Sequence, residues 1–69
     1  GNLEGYQVEA DGIFIGTIIS VEELPSQLLA HVKNENSVHL IPIVEDFIQN
    51  INTKSKIVYL TLPEGLLNL

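Results

Sequence analysis

The chain has 69 residues, 45 % of them hydrophobic, and sets three lysines and no arginine against nine carboxylates, for a net charge of −6. This length holds one domain at most, and a chain of this size buries only about 60 % of its unfolded surface, so the core must be economical. The apolar content excludes a disordered tail, no apolar run reaches the ~20 residues of a spanning helix, and the missing basic patch argues against direct nucleic-acid binding.

The first element is YQVEA (6–10), which alternates and directs Val8 inward. Asp11-Gly12 follows, a strong two-residue hairpin signal because both positions tolerate positive φ. IFIGTIISVEE (13–23) is long and β-branched, and Gly16 within it predicts a bulge or bend that lets a small sheet curl. LPSQ (24–27) is a loop, LLAHVK (28–33) a third strand, NENS (34–37) a polar turn and VHLI (38–41) a fourth strand. Placing Ala30 and Val32 on one face with Val38 and Leu40 requires pairs with an even sum, such as 70. That register sets His31 opposite His39 on the other face. Pro42, without an N–H, is expected to stop the ladder.

IVEDFI (43–48) fits one helical turn with Ile43 and Phe47 stacked, and QNIN leads into a turn at NTKS. KIVYLTL (56–62) is the last strand, with Val58, Leu60 and Leu62 pointing one way. Pro63 suits the first position of a final helical turn, and Gly65 keeps that turn short. The elements predict an all-β fold: a small barrel of five to six strands with one or two short helical turns, closed so that each strand buries one face. The leucine-rich tail, with Leu66, Leu67 and Leu69, is expected to plug one open end.

No cysteine is present, which removes disulfides and thiolate metal sites and fits a reducing interior. No methionine is present either, so Gly1 is expected not to be a native start and the chain to be a piece of something larger. The acidity suits a basic protein partner, attracted over distances that shorten in salt.

At this point the residues resemble a known family. LIPIVEDFIQNINTKSKIVYLTLPEGLLNL is similar to the carboxy-terminal half of the RimM ribosome maturation factors, a PRC-barrel domain. The resemblance rests on Leu40-Ile41-Pro42, on Glu45-Asp46-Phe47-Ile48, on Ile51-Asn52, and on Ile57 to Leu62 leading into Pro63-Glu64-Gly65-Leu66-Leu67. Upstream, Leu3-Glu4-Gly5, Val8, Asp11-Gly12 and Ile15-Gly16 match the family's opening pattern, and Glu23-Leu24-Pro25 suits the loop before the third strand. The family's aromatic pair before the opening pattern is replaced by Gly1-Asn2, a departure that the resemblance reads as weaker partner binding.

The resemblance implies that residues 1–69 are one PRC-barrel domain, the carboxy-terminal part of a two-domain cytoplasmic protein. It implies assistance in assembling the head of the small ribosomal subunit by binding a basic ribosomal protein, the one numbered nineteen in that subunit. It implies no catalysis and no cofactor. An alternative is a PRC-barrel that docks onto a membrane-associated or metabolic complex, and a third is an enzyme fragment whose catalytic residues lie elsewhere. Dimerisation through bare apolar surface is a further expectation.

Individual residues support binding rather than chemistry. His31 and His39 lack the ligands a zinc site wants, so no metal is expected. Glu22 and Glu23 point to opposite faces of a strand, and Glu45 and Asp46 suit the start of a helical turn. No serine or threonine has a basic partner within a motif. Partner binding is therefore assigned to Glu22, Glu23, Glu45, Asp46 and Glu64, with an apolar patch from Leu24, Pro25 and Leu67.

Overall fold

A computed structural model describes residues 3–67. It contains six strands: β1 (Gln7–Ala10), β2 (Ile13–Glu23), β3 (Leu28–Asn34), β4 (Ser37–Ile43), β5 (Ile48–Asn52) and β6 (Ile57–Leu60). They form one sheet in the order β4-β3-β2-β1-β6-β5. All neighbours are antiparallel except β1 and β6, which run parallel with Ala10 beside Leu60.

The long strand β2 serves two partners, pairing with β1 through residues 13–17 and with β3 through residues 17–23. Two register shifts mark the changeover. Ile15 is left over between the Val8–Gly16 and Glu9–Phe14 pairs, and Ile19 between the Val32–Ile18 and His31–Ser20 pairs. Each bulge bends the strand and deepens its twist. Gly16 sits at the crowded point: a Cβ there would stand 2.5 Å from the Lys33 carbonyl oxygen of β3. The glycine bend expected at this position is present, and the close approach to β3 explains why no side chain fits.

The curl brings both halves of the sheet onto one core. Val8, Ile18, Val32, Ile41, Val58 and Leu60 are its largest fully buried side chains, and Leu28, Phe47, Ile51 and Leu62 pack around it. Burying each such aliphatic group contributes about 1.5–3 kcal/mol. The expected barrel is thus a strongly curled sheet in which β4 and β5 remain edges. Both edges are blunted, β4 by Pro42 and β5 by a register shift at Gln49.

Four local expectations are corrected. First, β3 and β4 pair with sums of 71, so His31 faces Leu40 and His39 faces Val32. The two-residue loop Glu35-Asn36 between Asn34 and Ser37 sets that parity, and one residue of slip inverts a whole strand. Val38 and Leu40 therefore point outward and are half-exposed, while Ile41 and Ile43 are buried. Second, Pro42 does not end β4; it pairs with Leu29, tolerated because β4 is an edge strand.

Third, the single helical turn expected over 43–48 is shorter: Ile43 ends β4, Ile48 begins β5, and one turn over Val44–Phe47 is closed by Phe47 N–H and Ile48 N–H donating to the Val44 carbonyl. Fourth, the QNIN segment belongs to β5 rather than to a lead-in loop. The last strand ends at Leu60, and the tail makes a turn in which Leu66 N–H donates to the Pro63 carbonyl. Leu62 and Leu67 pack on the core as a plug would, Leu66 is partly exposed, and Leu69 lies outside the described residues, as do Gly1 and Asn2.

Candidate functional site

The parallel pairing of β1 and β6 determines where a site can form. Two parallel strands that end side by side send their following residues out at the same end of the sheet. Asp11 N–H donates to the Leu60 carbonyl at 3.2 Å, which ties the Asp11-Gly12 turn to the start of the tail. Between them lies a groove with a volume of about 490 Å³. Ala10 and Asp11 form the hairpin wall; Leu62, Pro63, Glu64, Gly65 and Leu67 form the tail wall.

The groove is apolar at its base and acidic at its rim. Ala10 is buried, Leu62 and Leu67 are half-buried against the core, and Asp11 and Glu64 are exposed. Ile13 pairs with Ala10 on the neighbouring strand and is 65 % exposed. The Val44–Phe47 turn lies alongside, because Thr61 N–H donates to the Phe47 carbonyl at 2.8 Å. That turn carries Glu45 and Asp46, both exposed.

Lysines are elsewhere. Lys54 and Lys56 lie in the turn before β6, which the Asn52 carboxamide oxygen caps by accepting from the Lys54 and Ser55 amides at 3.0 Å. The Lys56 ammonium stands over the Tyr6 ring, 5.5 Å from its centre. Lys33 is on the outer face of β3, opposite Val38. Strand β6 therefore separates a lysine-bearing turn from an acidic end.

The residues assigned to partner binding fall into two groups. Glu64 and Leu67 line the groove, with Glu45 and Asp46 on the adjoining turn. Glu22 and Glu23 end β2, and Leu24 and Pro25 open the β2–β3 loop, where Leu24 N–H donates to the Gln27 carbonyl. Glu22 accepts a 3.2 Å hydrogen bond from His31 Nε2 on the outer face, an exposed pair worth at most about 1 kcal/mol. Asp11 lines the groove too, although the sequence marks it only as a turn former. Its one signal is its place at the end of a strand that pairs in parallel with the last one.

The carboxylates at and beside the groove, Asp11, Glu45, Asp46 and Glu64, are exposed outside the strands, and no three histidines or carboxylates are gathered into a metal-ligand set among the described residues. No helix among these residues is long and apolar enough to cross a membrane.

A curled six-stranded sheet with an acid-rimmed groove at one end defines a small all-β domain. Residues 1–66 match the RimM PRC barrel domain, and the chain belongs to that family. The ribosome maturation factor RimM of Flavobacterium psychrophilum is 36 % identical over 67 residues, covering 94 % of this chain and 38 % of that protein. Its counterpart in Clavibacter sepedonicus is 31 % identical over 64 residues, covering 93 % of this chain and 30 % of that protein. The chain thus spans about a third of the length of these relatives. A crystal structure of a 16S ribosomal RNA processing protein RimM from Pseudomonas aeruginosa superposes with a TM-score of 0.80 at 19 % identity, over 90 % of this chain and 42 % of that one. This last likeness shows the fold.

Proposed function

We propose that this domain serves ribosome maturation as a non-enzymatic docking module, and that it assists assembly of the small subunit by holding a basic ribosomal protein. Membership of the RimM PRC barrel family over residues 1–66 carries the reading. The relatives that share this domain are named ribosome maturation factors. The charge supports a basic protein as partner: nine carboxylates against three lysines repel nucleic acid and attract cationic surfaces. The partner in this reading is the small-subunit protein numbered nineteen, and the compartment is the cytoplasm, where subunits assemble.

Titration of the 69-residue chain against that purified ribosomal protein tests the proposal. The expected result is saturable binding at low salt that weakens as salt rises, because rim charges act through a screening length of about 8 Å at physiological ionic strength. Absence of binding at low salt would overturn it.

A further inference from the structure

We propose that the groove between the Asp11-Gly12 turn and the tail is the seat of the partner, and that its occupant is an extended segment with an aliphatic side chain next to a lysine or arginine. This deepens the docking reading and rests on it for the identity of the whole partner, though not for the chemistry of the segment.

The groove's two walls call for two kinds of contact. Its base is aliphatic, from Ala10, Leu62 and Leu67. An aliphatic side chain entering here would take its own apolar surface and that of the base out of water. The rim carries one carboxylate on each wall, Asp11 on the hairpin and Glu64 on the tail, with Glu45 and Asp46 on the adjoining turn. No lysine lines the groove. The described cations lie before β6 or on the outer face of β3, so the domain turns its negative end toward whatever approaches this groove.

Other occupants fit less well. A second copy of this chain would bring its own net charge of −6 against the same acidic end. A nucleic acid meets the same repulsion. The half-exposed Val38 and Leu40 on the outer face of β4 are apolar too, but Lys33 and His31 stand opposite them on β3 and the carboxylate there, Glu22, already pairs with His31, so that patch lacks a free acidic frame.

The test follows the backbone amide signals of the chain during titration with three capped tetrapeptides, Leu-Lys-Leu-Lys, Leu-Ser-Leu-Ser and Leu-Glu-Leu-Glu, and with the ribosomal protein. The lysine peptide is expected to move the amides of Asp11, Gly12, Gly65 and Leu66, the serine peptide to bind more weakly, and the glutamate peptide not to bind. The double variant Asp11→Asn, Glu64→Gln is expected to weaken the lysine peptide about three- to tenfold at low salt. Both side chains are exposed and asparagine tolerates the positive φ at position 11, so the variant's own spectrum should report an intact fold.

Shifts confined to Val38–Leu40, or unchanged affinity in the double variant, would overturn the groove as the seat. If the ribosomal protein binds wild type and double variant alike, the groove fails while docking stands. If the lysine peptide binds as expected and the ribosomal protein does not, the groove stands and the ribosomal partner falls.

Discussion

The fold contains two tight hairpins built on the same plan with different materials. In the β1–β2 hairpin, Ala10 pairs with Ile13 around Asp11 and Gly12, and both turn residues have positive φ, 52° and 79°. In the β3–β4 hairpin, Asn34 pairs with Ser37 around Glu35 and Asn36, and the positive φ, 56°, falls on Glu35. The first places its positive φ on residues that accept it; the second imposes it on a glutamate. A glutamate in the left-handed region costs about 1–2 kcal/mol, so the second turn is held by the strands it joins rather than holding them.

What those strands gain is core. With the register set by a two-residue loop, Ala30, Val32, Ile41 and Ile43 enter one cluster with Val8 and Val58. The largest test of this hairpin is therefore a pair of adjacent substitutions. Ile41 is fully buried and Leu40 is 53 % exposed. Ile41→Ala is expected to cost about 2–5 kcal/mol, while Leu40→Ala should stay within about 0.5 kcal/mol. Denaturant midpoints measure both, and a larger loss at position 40 would mean the strand is registered one residue away.

Strand β2 of the first hairpin pairs with β3 of the second, and Gly16 is where the two press together. Alanine at this position would press its methyl group into the Lys33 carbonyl at 2.5 Å and the Val32 side chain at 2.9 Å, so either β2 or β3 must move. Overpacking of this kind costs about 1–3 kcal/mol, with roughly 1 kcal/mol more for the positive φ. Gly16→Ala should lower the thermal midpoint by several degrees and leave a folded, weakened domain. A neutral result would show that the crossing of the hairpins is looser than its geometry.

This contrast explains which parts of the molecule could be read from its residues. The Asp11-Gly12 turn was legible because its residue types match the backbone they must adopt. Alternation in VYL placed Val58 and Leu60 inside, and Gly16 marked the bend. The β3–β4 register was not legible, since a shift of one residue trades Val38 and Leu40 for Ile41 and Ile43, an equally apolar set. Strand β5 escaped because the register shift at Gln49 breaks its alternation and three of its five residues are polar.

The groove was half legible. Glu64 and Leu67 stand out by charge and by their place in a leucine-rich tail, and Asp11 does not. Its presence there depends on the parallel pairing of β1 with β6, a contact between residues fifty positions apart that no local pattern announces. The residues assigned from Glu22 to Pro25 sit at the end of β2 and in the loop after it, and the sequence offers no cue that would separate them from the groove.

The smallest expected effects come from exchanging glycine between the two turns, and their signs carry the information. Gly12→Ala meets no atom within 4 Å, so its whole cost is conformational. The positive φ of 79° should make it destabilising by about 1 kcal/mol. Glu35→Gly relieves the same penalty in the other turn but frees the unfolded chain, which gives back about 0.5–1 kcal/mol. The net expectation is a gain of up to about 1 kcal/mol. Differential scanning calorimetry on the two variants compares them directly, with about 4–8 °C per kcal/mol for a domain of this size. Opposite signs would show that strand packing, not turn preference, secures the β3–β4 register. A destabilised Glu35→Gly would instead mean that the glutamate side chain or its stiffness helps hold that turn, and the two hairpins would then be alike in the one respect in which their residues differ.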